Sequence, residues 1–108
     1  MLVELDVFSG RPNPRWELDE RHSRALWQLQ SRLTMSSQAQ AEPPGLGYRG
    51  FRYSDAAGRA HAYHGLVVTT RGALADPDFT IEQYLLEQLP AEFAALRQRI
   101  STELVPTK

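Results

Sequence analysis

The chain predicts an α+β fold: a small, mainly antiparallel sheet, made from an N-terminal strand and a β-hairpin, covered on one face by an N-terminal helix and a proline-kinked C-terminal helical region. Three observations carry that expectation. Residues 2–8 alternate with period two, residues 19–33 and 80–100 place apolar residues at helical spacing, and two aromatic- and valine-rich runs flank the turn sequence Asp55-Ala56-Ala57-Gly58.

In the first strand Val3, Leu5 and Val7 share one face while Glu4, Asp6 and Phe8 share the other, as suits a sheet with one covered side. The run from Phe8 to Trp16 then forms a stiff bend. Pro12 and Pro14 fix their own φ and hold Arg11 and Asn13 out of the helical basin, and Gly10 is free to take a positive φ. Trp16-Glu17-Leu18 adds a short extended piece. Asp19 is a good N-cap with Glu20 in the first turn, and His22, Leu26, Leu29 and Leu33 make the apolar stripe of a helix running to residue 33. His22, on that stripe, reads as a hydrogen-bonded core residue. Trp27 lies off the centre of the stripe, either widening it or sitting at its edge.

From 34 to 47 the chain turns to Ser, Gln, Ala, Glu, Pro and Gly, which reads as a flexible connector inside one domain spanning 1–108. Residues 48–53 read as a strand, with Arg52 on the side opposite Phe51 and Tyr53, and residues 60–70 as its single hairpin partner. Thr80 and Gln83 have capping-box spacing at the head of the last helical region, and Asp76 and Asp78 look like helix-start chemistry. Ile81, Leu85, Leu89, Phe93, Leu96 and Ile100 continue the apolar line, with a restart expected at Pro90.

With 108 residues, 42% hydrophobic and 23% charged, the chain has enough apolar material for a core without disulfides. A net charge of −1 offers no bulk attraction to nucleic acid or anionic membrane, and neither is expected as a partner. Cysteine is absent, which excludes disulfides, thiolate metal sites and thiol nucleophiles. No membrane-spanning run or signal sequence is legible, so a cytoplasmic location is the expectation. Eleven of the twelve basic residues are arginine, whose planar fork suits carboxylates and phosphates, although a coding bias produces the same skew.

Chemistry-bearing residues gather around the predicted turns. Arg11 and Arg15 sit in the first loop, Arg49, Arg52 and Arg59 around the hairpin, and Arg71 at its exit. Converging, they would suit an anionic group or an acidic peptide; dispersed, they pair with Glu4, Asp6, Glu17 and Asp55. Tyr48-Arg49-Gly50-Phe51 offers an aromatic platform or an exposed edge for an added strand, since glycine in a strand marks close approach by a ligand or another backbone, or else belongs to a core hairpin with ordinary aromatic packing. The expected contact surface therefore comprises Ser9, Arg11, Asn13, Arg15, Tyr48, Arg49, Gly50, Phe51 and Arg52. His61 and His64 point to opposite faces of a strand, and their spacing matches no common metal site. Ser9 lacks the flanking glycines of a hydrolase elbow, and no phosphate-cradling glycine motif is present.

The segments Val-Phe-Ser-Gly-Arg-Pro-Asn-Pro at 7–14 and Leu-Gly-Tyr-Arg-Gly-Phe at 46–51 resemble those of a family of small uncharacterised bacterial proteins, and are similar to the small partner protein of radical-SAM peptide spliceases. The resemblance covers two short motifs in the front half. It implies a non-catalytic accessory subunit that binds a precursor peptide, a partner modifying enzyme or both, with the iron–sulfur cluster held by the partner and no cofactor bound by this chain. The recurring motif takes in Ser9, Gly10, Arg11, Asn13, Tyr48, Arg49, Gly50 and Phe51. The alternatives left open are a small stand-alone enzyme or anionic-metabolite-binding protein, with its pocket between the sheet and segment 34–47, and a protein-interaction or immunity-type module.

Overall fold

Alternation along β1 (Leu2–Leu5) decides which side of the sheet is buried: Val3 and Leu5 are wholly enclosed while Leu2 is 46% exposed. In the computed structural model, which describes residues 1–8, 12–37 and 47–104, seven strands form one antiparallel sheet in the order β2-β1-β4-β5-β6-β7-β3. The fold is α+β, as the periodicities predict. β1 ends at Leu5 rather than residue 8 because the amides of Val7 and Phe8 bond to the Asn13 side chain instead of to a neighbouring strand. β2 (Arg15–Glu17) folds back on β1 across the proline bend, with Trp16 opposite Val3.

Helix α1 (Glu20–Ser31) starts where expected, with the Asp19 carboxylate accepting the His22 amide at 2.8 Å. Its buried residues are Ser23 and Leu26, with Trp27, Leu29 and Leu33 half-buried against the core. His22 is a correction: its ring lies outside the core, donating from Nδ1 to Asp19 Oδ1 at 2.8 Å. Capping chemistry at the helix start outweighs the apolar spacing.

The expected connector also departs from expectation at its start. Thr34–Met35 is a strand, β3, opposite Ala75 and Leu74 of β7 at the far edge of the sheet; residues 38–46 lie outside the described ones. The hairpin is larger than expected too. β4 (Phe51–Asp55) and β5 (Gly58–Tyr63) flank the predicted turn, but 60–70 is interrupted: His64 and Gly65 carry φ of 50° and 79° and turn the chain into β6 (Leu66–Thr69). Two successive positive φ values fit a tight two-residue hairpin loop, and histidine tolerates that basin better than most residues. A second turn, in which the Thr69 hydroxyl donates to the Gly72 carbonyl and accepts from the Arg71 amide, leads to β7 (Gly72–Ala75).

Helix α2 (Thr80–Glu87) does not use the Thr80/Gln83 capping box. The Asp76 carboxylate, nearly inaccessible to water, reaches in from outside the helix and accepts the Thr80 and Ile81 amides at 3.0 and 2.8 Å, while the Gln83 side chain turns to the Leu104 carbonyl. An ionised acceptor at the positive end of a helix serves the orphan amides and the dipole together. As expected, Pro90 follows the end of α2 and precedes a short 3₁₀ turn (Ala91–Phe93) and α3 (Ala94–Ser101).

Helices α1 and α2 contact the face that carries Val3, Leu5, Phe51, Tyr53, Ala60 and Ala62, and α3 contacts α2. The Tyr53 hydroxyl donates to Gln30 of α1 at 2.6 Å, the Trp27 ring lies 5.6 Å from that of Tyr53, and α2 lies against β5, where Ala60 and Ala62 leave room for it. Among the described residues no helix is long and apolar enough to cross a membrane.

Replacing Asp76 by alanine orphans two amides beneath α2 and is expected to cost about 2 kcal/mol in urea unfolding followed by far-ultraviolet circular dichroism. The same change at exposed Asp78 should leave the midpoint where it is.

Candidate binding surface

The two motif segments meet at a single carboxylate. Asp6 is buried, its amide donates to the Gly50 carbonyl at 2.9 Å and its own carbonyl accepts the Arg49 amide at 2.7 Å, so backbone bonding continues past the end of the β1–β4 pairing. Its side chain receives Arg49 Nη2 at 2.9 Å and Arg52 Nη2 at 3.1 Å. Asn13 completes the joint. Its Oδ1 accepts the amides of Val7 and Phe8 at 3.0 and 2.8 Å, and its Nδ2 donates to Glu4 at 2.8 Å and to Asp6 at 3.2 Å. Arg49 also donates to the Phe8 carbonyl at 2.7 Å, and Arg15 Nε stands 3.4 Å from Glu4.

The structure thus brings Asn13 of the proline bend and the Tyr-Arg-Gly-Phe segment together, and Arg15, Arg49 and Arg52 are engaged by the chain's own carboxylates. Ser9 and Arg11 lie outside the described residues. Tyr48, Gly50 and Phe51 are buried, so the aromatic platform faces the core. Gly50 has φ 98°, and a Cβ there would stand 2.3 Å from the Ala62 carbonyl oxygen. The close approach anticipated at this glycine is to a backbone. β4 is no edge either, because β1 and β5 pair with it on both sides. Of the anticipated surface, Arg15 and Arg52 present large side-chain exposure, at 64% and 54%.

What remains open is the second face of the sheet. Leu2, Ser54 and Arg59 form one row across β1, β4 and β5, and Glu4, Arg52, His61 and Val68 form the next across β1, β4, β5 and β6. Together they line a shallow trough of about 530 Å³ to which no helical residue contributes. His61 is fixed by donating from Nε2 to the Arg49 carbonyl at 2.8 Å. The alternation of β1 and the position of Arg52 announced this face. Val68 was hidden because its strand was read as continuous with β5.

A second polar feature lies in the core with no sequence signal. Glu82 on α2 is almost fully buried, accepts the Tyr48 hydroxyl through one carboxylate oxygen and takes the Gly65 amide at 2.9 Å through the other. Burial, then the adjacent carboxylate, pushes the Tyr48 phenol far above its ordinary value of 10. Burial does the same for Tyr53, with Asp76 adding to it. Among the described residues no cluster of histidine and carboxylate suits a metal ion.

Comparison with family models, with curated protein sequences and with solved structures finds no match to this chain.

Two expectations arise from these groups. Asp6→Ala leaves Arg49 and Arg52 facing each other across an empty joint and should destabilise the fold by about 3 kcal/mol in chemical unfolding, whereas Arg15→Ala at the exposed rim should change it by less than about 1 kcal/mol. Because Tyr48 and Tyr53 hold their protons in the folded state beyond the pH at which an unfolded chain releases them, stability is full below about pH 10 and falls as pH rises past it. Absorbance at 295 nm should report their phenolates only as circular dichroism is lost; ionisation of both in a still-folded chain would contradict the burial argument.

Proposed function

We propose that this protein is a non-catalytic accessory subunit that binds a precursor peptide, a partner modifying enzyme of the radical-SAM type, or both, during the biosynthesis of ribosomally made peptides. The observation that carries the reading is the uncovered sheet face. It is a shallow trough, open to solvent, with cationic, acidic and aliphatic side chains side by side, which suits an extended polypeptide better than a small substrate needing enclosure. The resemblance of the two motif segments supplies the biosynthetic setting. In this reading the motifs act as scaffold: their interlocked side chains hold Glu4, Arg52 and His61 in one row, and contact is made by the face so displayed.

The reading assigns the iron–sulfur cluster and the chemistry to the partner, and locates the subunit in the cytoplasm with the precursor. A second reading, an anionic-metabolite binder, is favoured by His61 lining the same trough as Arg52 and Arg59. It fits less well because the trough is open and His61 Nε2 is already committed to a backbone carbonyl.

Titration calorimetry of the full chain against the precursor and the modifying enzyme encoded beside it should give saturable heat with at least one. Amide chemical shifts should move at Ser54, Arg59 and Val68 on addition of the ligand. Flat titrations with both would remove the reading; a metabolite panel that raises the melting temperature would replace it with the second.

A further inference from the structure

The charges in the trough are unevenly answered. Arg52 is engaged by Asp6, Arg15 by Glu4, and Glu4 is further held by Asn13. Arg59, exposed at the end of the row Leu2, Ser54, Arg59, has no ion-pair partner among the described residues. Beside it lies the aliphatic part of the surface: Leu2 is one of two large hydrophobic residues left exposed among the described residues, and Val68 is half-buried in the adjoining row. We infer, building on the accessory reading above, that the trough takes an extended peptide segment that sets a carboxylate side chain against Arg59 and an aliphatic side chain against Leu2 and Val68.

Geometry and charge both select that occupant. Leu2 and Arg59 are two strand spacings apart, about 10 Å. In an extended chain, residues i and i+2 lie on one side about 7 Å apart, and the long arginine side chain closes the difference. A guanidinium accepts a carboxylate through two parallel hydrogen bonds, which fixes the register of the segment as well as its sign. Nucleic acid does not fit as well, since a phosphate chain needs several unanswered cations and here Glu4 stands in the trough of a chain with net charge −1. A second copy of this chain would offer from the same face Glu4, which Arg15 and Asn13 already hold, and the exposed Glu17 opposite Leu2; self-pairing through Glu17 would show itself as a concentration-dependent dimer.

Fluorescence anisotropy of the full chain with labelled threonine-rich octapeptides tests this. One carries leucine and aspartate at i and i+2, a second replaces aspartate by lysine, and a single-stranded oligonucleotide serves as the third probe. The aspartate peptide should bind at least tenfold tighter than the lysine peptide, Arg59→Glu should reverse that order, and Arg71→Glu, an exposed arginine outside the trough, should leave it unchanged. Unaltered melting curves for both variants keep the comparison on binding. Equal affinity for the two peptides, tighter binding of the oligonucleotide, or a concentration-dependent dimer abolished by Arg59→Glu would each overturn the inference. If the natural precursor or enzyme binds and Arg59→Glu leaves its affinity unchanged, this inference fails while the accessory reading stands. If neither natural partner binds but the aspartate peptide does, the accessory reading fails and the trough's preference stands.

Discussion

Asp6 is a carboxylate that has lost nearly all its water, and its replacements for that water come from two separate places in the chain. Asn13 reaches it from the proline bend, Arg49 and Arg52 from the strand that follows the connector, and its backbone pairs with Gly50 and Arg49. Removing any one donor leaves the others around a charge that solvent cannot reach, so the joint is strongly specified as a unit. That joint fixes the register of β1 on β4. Register decides sidedness in a sheet, because a slip of one residue would send Val3 and Leu5 to the solvent and Glu4 into the core. The burial of the helical face and the composition of the open face both follow from it.

The same joint explains why the described residues of two conspicuous motifs contribute little exposed surface. Glycine is required at residue 50 by its positive φ and by close backbone approach, and Arg49 and Arg52 beside it answer an internal carboxylate. Held in this way, each guanidinium is fixed in place together with the neighbouring strand atoms. The open face inherits that order. Its residues project from four strands paired on both sides, so the trough is preorganised by backbone hydrogen bonds rather than by loops.

The buried pair of Tyr48 and Glu82 has a parallel role in the core. It joins the segment before β4 to α2 and, through the Gly65 amide, to the turn between β5 and β6. Gly65 is hemmed in there by the Phe79 ring, with 2.7 Å between that ring and a Cβ at 65, so turn, helix start and aromatic packing occupy one small volume. Apart from Phe79 and Glu82, none of these partners is near another in sequence.

Features whose causes are local were legible in the residues: the alternation of β1, the Asp19 cap, the Asp55–Gly58 turn and the restart after Pro90 each depend on a few neighbouring side chains. Of the candidate surface, the outward row of Glu4 and Arg52 was readable for the same reason. Tertiary structure decided the rest. The His22 ring left the apolar stripe for a cap, Asp76 displaced the Thr80/Gln83 box, Thr34–Met35 joined the sheet beside β7, and Tyr48, Gly50 and Phe51 went inside. Each outcome turns on which distant group reaches a donor, an acceptor or a space first. Period and propensity describe one segment at a time and carry no information about that competition, whereas the enclosed carboxylates, which must find donors from remote strands, settle it.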